Sequence, residues 1–492
     1  MPGACRCRKE GREILNSSLS REQSRPPDAV ASPLDLKSLL TREADHLVSL
    51  SEEHINPSLC RVLGLLGFNK RYTRGKGAYL FDEAGNRYLD CLSGFGTFAC
   101  GRNHPVIRDA IQQAMDLDLP NLVAMGVAPL SGLLARELLQ IAPGDLEMIF
   151  FANSGTEAVE AAIKYARYGT GRARMIHCTR SFHGLSLGSL SVNGNEEFKQ
   201  GFGPMLGPTT AVPFNDLEAL ERELSHGDVA GFIVEPIQGK GVFVPSDDYL
   251  PEAVKLCRRH GTLFIADEVQ TGLGRTGKMF ACEHWGVEPD ILLTAKALSG
   301  GYIPVAAVLT KRWLHEKVFS KLERCFVHSS TFTENDLAMA AGLATLKVLR
   351  EEQLVENAAA MGNLLRAGLE EIGRQYEMFG EVRGKGLMIG VEFRPPSSRS
   401  LKMGWNLLHK LDPSLFCQAM LIPLMTDHHV LAQVAGHHLD VIKLLPSLVI
   451  NEDDVAYLIR AFDAVMGACH RFPGPVWEVG KRIAGAQLRI GA

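Results

Sequence analysis

The 492-residue chain has no run of about 18 consecutive apolar residues, so no transmembrane helix is expected. Its first stretch, residues 1–51, is polar and rich in Arg, Ser and Pro; it lacks the apolar centre of a secretory signal, and Glu10, Glu13 and Glu22 count against a mitochondrial presequence. The 11 cysteines are scattered, with no C-x-x-C pair and no Cys/His cluster of zinc-ligand spacing, so no metal site is expected. Cys5-Arg-Cys7 lies in the polar extension, whereas Cys91, Cys100, Cys178, Cys257 and Cys417 sit in apolar runs as core residues, and a reducing cytoplasm is the natural compartment. A net charge of −4 with 22% charged residues carries no footprint for nucleic acid or an anionic membrane. No Walker-type G-x-x-x-x-G-K-[ST] occurs and no G-x-G-x-x-G opens a helix, which leaves little basis for nucleotide-dependent chemistry. No internal repeat is present.

What remains is a rhythm of short apolar strands and amphipathic helices. Residues 1–51 read as a flexible extension with a short helix near Leu34 to Val48. Turn chemistry at Gly75-Lys-Gly77 and Glu83-Ala-Gly-Asn86 separates early strands, including Tyr79–Phe81 and Arg87–Leu89. Strands are then expected at Met148–Phe151, Arg174–His177, Gly231–Glu235, Thr262–Ala266 and Ile291–Thr294, with helices at Glu157–Tyr168 and Tyr249–His260. The alternation predicts an α/β fold with a mostly parallel sheet covered by helices. Asn335 to Leu354 reads as one long helix. Beyond it the pattern (a helix near Asn357 to Tyr376, strands at Leu387–Phe393 and Val441–Leu445, a helix at Glu452–Ala468) predicts a smaller α+β domain joined to the early strands. The expected organisation is an extension (1–51), the first part of the small domain (52–95), a large domain (96–345) and the rest of the small domain (346–492).

The chemistry is concentrated at strand ends. Asp267 ends an apolar strand, where ligands gather in open α/β sheets, and an acid buried there requires a cation. Lys296 follows the next strand, so two neighbouring strands bring both residues to one end of the sheet. The following Ala-Leu-Ser-Gly-Gly places the lysine in a tight loop. A lysine able to form a Schiff base, with a carboxylate able to hold a pyridinium nitrogen, is what pyridoxal 5′-phosphate (PLP) requires of a protein. Asn153-Ser-Gly-Thr156 opens a helix after a strand, so Ser154, Gly155 and Thr156 offer N–H groups and hydroxyls to a phosphate; the same residues also read as an ordinary helix cap. In Arg180-Ser-Phe-His-Gly184, Phe182 can lie against a heterocycle, and His183 can support the ring or the phosphate. Val269 reaches the ring face, and Gln270 is placed to bond its phenolic oxygen.

Together Asn153-Ser-Gly-Thr-Glu-Ala-Val-Glu160, Ser181-Phe-His-Gly184, Glu235-Pro-Ile-Gln-Gly239, Asp267-Glu-Val-Gln-Thr-Gly-Leu-Gly-Arg-Thr-Gly277, Lys296-Ala-Leu-Ser-Gly-Gly301 and His328-Ser-Ser-Thr-Phe332 resemble the class III (ω-) aminotransferases from about Arg71 to Ala468. The resemblance implies the aspartate-aminotransferase-like fold (PLP fold type I), a homodimer with shared active sites, Lys296 as the lysine that bonds PLP, Asp267 as the pyridinium partner, and Thr331 as a phosphate ligand given across the interface. Within the family, Asp90-Cys-Leu-Ser-Gly-Phe-Gly-Thr-Phe98, Gly277-Lys-Met-Phe-Ala-Cys-Glu-His284 and Arg383-Gly-Lys-Gly386 look most like putrescine (diamine) aminotransferases. Phe95, Glu235 and Lys443 are the substrate-side candidates, with Phe98 adding apolar surface near the mouth. Lys443 stands where many members carry an arginine that grips an α-carboxylate; Leu185 and Lys240 depart from the basic and acidic residues common at their positions. The expected partners are a small amine donor and a keto acid or aldehyde acceptor. A racemase, decarboxylase or aminomutase of the same fold is the alternative.

Overall fold

The computed structural model describes residues 33–478, apart from 66, 123–125, 411, 414, 472 and 475–476. Cys5 and Cys7 fall outside them, as does most of the expected extension. The chain divides into two units between Val62 and Leu63. In the first, the expected single helix near Leu34 to Val48 is two short ones, Leu36–Arg42 and Leu47–His54, neither with a buried residue. Asp35 starts the first: its Oδ1 accepts from the N–H groups of Lys37 and Ser38, both at 3.1 Å.

The second unit is built on a seven-stranded sheet. Its spatial order is Met148–Ala152, Ala306–Thr310, Ile291–Thr294, Leu263–Asp267, Val229–Val234, Arg174–Cys178 and Thr209–Val212. Ala306–Thr310 runs antiparallel to both neighbours, and the strands from Ile291–Thr294 to Thr209–Val212 are mutually parallel. Alternation sorts the strand residues to two faces. Phe232, Phe264 and Leu292 join the core that holds Tyr249 and Leu250 of the helix Tyr249–Arg259. Ile233, Ile265 and Leu293 pack with Ala158, Val159, Ala162, Ile163 and Ala166 of the helix Gly155–Thr170. Both faces being covered, the central strands are buried throughout, which is why they read as continuous apolar runs.

Two four-stranded sheets complete the unit. In one, Tyr72–Lys76, Tyr79–Asp82 and Arg87–Asp90 form an antiparallel meander, and Val430–Leu431 adds parallel to Arg87–Asp90, pairing Val430 with Leu89. The late chain thus joins the early strands. The other sheet is antiparallel: Phe379–Lys385, Met388–Phe393, Val441–Leu444 and Gln433–Val434. The single helix expected from Asn335 to Leu354 ends earlier. It spans Asp336–Glu351, and the chain turns at Gln353, in the left-handed region at φ 51°, into Leu354–Gly373.

Candidate active site

The ends of the parallel strands open on a cavity of about 840 Å³. Asp267 is the last residue of its strand and pairs in register with Leu293 of the neighbouring strand, which leads directly to Lys296. Glu235 follows Val229–Val234, Phe182 and His183 follow Arg174–Cys178, and Ser154 follows Met148–Ala152. Lys443 comes from the other side, in the antiparallel sheet. Leu293 apart, all of these residues line the cavity, together with Gly155, Thr156, Val269, Gln270 and Phe95. Thr331 does not: it is exposed and stands outside this cavity. Phe98 is not among the lining residues either; the Arg102 guanidinium lies 4.0 Å from its ring centre.

Asp267 is only 4% exposed, and both its oxygens are occupied. Oδ2 accepts from His183 Nδ1 at 2.7 Å, and Oδ1 accepts from the Val269 N–H at 3.1 Å. His183, expected to support a ring or phosphate, lines the cavity and lies against Asp267. His183 is held in turn by Asn193, whose Oδ1 accepts from the His183 N–H at 2.6 Å and whose Nδ2 donates to Gly184 O at 2.6 Å. Nε2 of His183 is buried and bonded to nothing among the described residues.

Lys296 opens a short 3₁₀ turn with its own φ at 33°, in a left-handed region that costs a non-glycine residue free energy and recurs at functional sites. Burial lowers its pKa from the ordinary lysine value, against the opposing pull of Asp267 and Glu235. Glu235 is buried, which raises its pKa; the Phe182 N–H donates to Oε1 at 2.9 Å and the Gly239 N–H to Oε2 at 2.7 Å, so one carboxylate ties two cavity loops together.

Ser154 caps the helix Gly155–Thr170, its Oγ accepting from the Glu157 N–H at 3.3 Å. The Thr156 hydroxyl is engaged by Ser186 Oγ at 2.7 Å and Ser189 Oγ at 2.5 Å, so what this turn keeps open is backbone N–H. Gly155 is required here, because a Cβ would stand 2.9 Å from Val269 Cγ1.

Lys443 is 6% exposed. Its Nζ donates to Gly239 O at 2.7 Å and to Gln270 Oε1 at 3.3 Å. Gln270 passes the link on, donating to Phe95 O at 3.0 Å. Burial first, and then the charges of Lys296 and Lys240, press the Lys443 pKa down to about 7, while Glu235 pulls upward.

Several lining residues escaped the sequence reading: Phe198, from the short turn Glu196–Phe198, and Gln433 to Gly436. Phe198 packs edge-on to Phe182 with centroids 5.8 Å apart. No motif marks either segment. Lys240, noted only as a departure, lines the cavity, and burial lowers its pKa. Among the described residues no cluster of metal-ligand type is found, and no helix is long and apolar enough to cross a membrane.

The sequence profile of the family "Aminotransferase class-III" matches residues 67–466. A putrescine aminotransferase from Pectobacterium atrosepticum is 42% identical over 371 residues, which is 71% of this chain and 77% of that protein. The aminotransferase PigE of a Serratia species is 34% identical over 445 residues, 84% of this chain; the chain spans about half the length of that relative, 52%. Among solved structures, an amine transaminase from an uncultivated Pseudomonas species, in a PLP-bound form, superposes with a TM-score of 0.71 at 30% identity, over 81% of this chain and 95% of the other.

Proposed function

The chain belongs to the class III aminotransferases, and from that premise we propose that it moves an amino group from a primary amine, diamine or ω-amino donor to a keto acid or aldehyde acceptor, in two half-reactions of ping-pong form. Enzymes of this class use PLP. The cavity suits that group: a helix N-terminus closed down on Val269 by the missing Cβ of Gly155, a buried carboxylate at a strand end, and a lysine of lowered pKa beside it.

In this reading the backbone N–H groups around Ser154, Gly155 and Thr156 would hold the phosphate, and Phe182 and Val269 would bracket the ring. Asp267 would pair with the ring nitrogen, Gln270 would lie near the phenolic oxygen, and Lys296 would bond the aldehyde carbon. When bound, the cofactor supplies an aldehyde that condenses with primary amines and a protonated ring that spreads the negative charge left when a proton leaves the amine-bearing carbon. Asp267 keeps the ring nitrogen protonated, and His183, itself fixed by Asn193, holds Asp267 in place. The Lys296 amine moves the proton to and from the reacting carbon; its lowered pKa keeps more of it in the basic form at neutral pH. Glu235 fixes the backbone at Phe182 and Gly239, and so sets the width of the cavity between them.

The observation that carries the donor class is Lys443. A guanidinium at this position would offer a planar fork to an α-carboxylate; a lysine cannot, and this one already spends two N–H groups on Gly239 and Gln270. A pKa near 7 also leaves it only partly charged, so a second ammonium on the donor meets less repulsion. The identity to a putrescine aminotransferase favours the same class. Thr331, outside the cavity of its own subunit, would reach the phosphate site of a partner in a homodimer. A screen of diamines, ω-amino acids and α-amino acids with pyruvate and 2-oxoglutarate tests the reading: diamines are expected to be the best donors, and an α-amino acid turning over fastest would overturn it.

A further inference from the structure

One cavity must serve both half-reactions, so a donor with a distal ammonium and an acceptor with a distal carboxylate must fit the same wall. At the mouth stands an ion pair that no motif announces. Lys240 lines the cavity, its side chain 14% exposed, and its Nζ donates to Glu197 Oε1 at 3.1 Å; the Glu197 side chain is 44% exposed. His437 Nδ1 lies 3.3 Å from the same Glu197 oxygen. The ammonium of Lys240 also lies 4.2 Å from the centre of the Phe198 ring, which packs against Phe182 on one side and His437 on the other, with centroids 5.8 and 5.7 Å apart. The stem of Lys240 runs past Gly436, where an added Cβ would stand 3.7 Å from Lys240 Cβ and Cδ. The pair thus sits at the open end of an aromatic stack that begins at Phe182.

We infer that Lys240 and Glu197 form an exchangeable ion pair that determines specificity for the distal end of both substrates. The distal ammonium of a donor takes the place of Lys240 on Glu197; the distal carboxylate of a dicarboxylic keto acid takes the place of Glu197 on Lys240. Each substrate breaks one salt bridge and forms another of the same type, and the displaced partner falls back on a second contact: Lys240 on the Phe198 ring, Glu197 on solvent and His437. The Phe198 face keeps the ammonium of Lys240 in place while Glu197, nearer solvent, is released. The inference rests on the proposed transfer between amines and keto acids and assigns its charge selectivity to two residues that touch neither reacting atom.

The test follows each half-reaction of the holoenzyme separately by its absorbance change, with substrate pairs that differ only at the distal end: putrescine against butylamine, and 2-oxoglutarate against 2-oxopentanoate. Lys240→Met is expected to lower the rate ratio of 2-oxoglutarate to 2-oxopentanoate on the order of tenfold, the scale of a charge-assisted hydrogen bond. Glu197→Gln is expected to lower the ratio of putrescine to butylamine by a similar factor. Ratios unchanged from wild type in both variants would overturn the inference while leaving the amino transfer intact. A wild-type enzyme that accepts neither putrescine nor 2-oxoglutarate would remove the functional reading and the inference with it. Using ratios within one variant cancels any general loss of active protein.

Discussion

Replacing Lys443 with arginine tests donor choice and the titration of the cavity wall in one experiment. In the wild type the lysine is buried, bonded to Gly239 O and Gln270 Oε1, with a pKa near 7. Its charge is therefore mostly present at pH 6 and mostly gone at pH 8.5. Because the pKa is lowered, the cation is lost as pH rises through about 7 instead of near 10. For an acceptor held by this charge, kcat/KM should fall by up to roughly tenfold per pH unit above 7. For a diamine, whose second ammonium is repelled by it, kcat/KM should rise over the same range. Arginine does not titrate there, so the variant should lose both slopes. The guanidinium also restores a fork for an α-carboxylate, a gain of about 1–3 kcal/mol for α-amino acid donors, or roughly 5- to 150-fold in kcat/KM. Steady-state kinetics with putrescine and an α-amino acid, wild type against Lys443→Arg from pH 6 to 8.5, reads all of this. If α-amino acids are the best donors of the wild type and the substitution changes neither preference nor slope, Lys443 has no part in recognition.

Borohydride reduction of the holoenzyme followed by peptide mapping should place the pyridoxyl group on Lys296, and Lys296→Ala should keep PLP through the helix N-terminus yet turn over very slowly; a label on another lysine would refute the assignment. Asp267→Asn should leave the melting temperature close to wild type while cutting kcat/KM roughly 10²–10³-fold, the scale of a preorganised electrostatic contact, and near-normal turnover with PLP bound would remove Asp267 from its role. Subunits carrying Lys296→Ala and Thr331→Ala should each be impaired alone but regain activity when mixed, because one site of the heterodimer then bears neither change; verified subunit exchange without recovery would show that Thr331 does not act across an interface.

The strand ends were legible because burial on both faces leaves its mark as unbroken apolar runs, and Asp267 and Lys296 stand where those runs stop. The joining of the late chain to the early strands was legible too, from strand patterns left over at both ends of the sequence. The state of the Thr156 hydroxyl was not: it depends on Ser186 and Ser189, which reach it only through the irregular path after Gly184, with φ at 124°. The contact of His183 with Asp267 was hidden for a similar reason, since Asn193, which aims it, belongs to a different turn. The break at Gln353 follows Glu351 and Glu352, good helix formers without a stop signal, so the long helix looked continuous. Ala306–Thr310 went unread as a strand. It is a short apolar run close behind Pro304, and only its pairing on both sides gives it away.

The pairing of Val430–Leu431 with Arg87–Asp90 imposes an order of events on a ribosome. The early meander is made at once, yet the open side of its third strand waits for a partner several hundred residues downstream. At about 5–20 residues per second that wait lasts on the order of tens of seconds. During it, Tyr88 and Leu89, each only 2% exposed in the finished protein, border an unfilled strand edge of the sort that recruits other chains. The nascent protein is therefore at its most vulnerable to mispairing at its beginning, and truncation before Val430 should send it to chaperones or aggregates even with the whole seven-stranded sheet already synthesised.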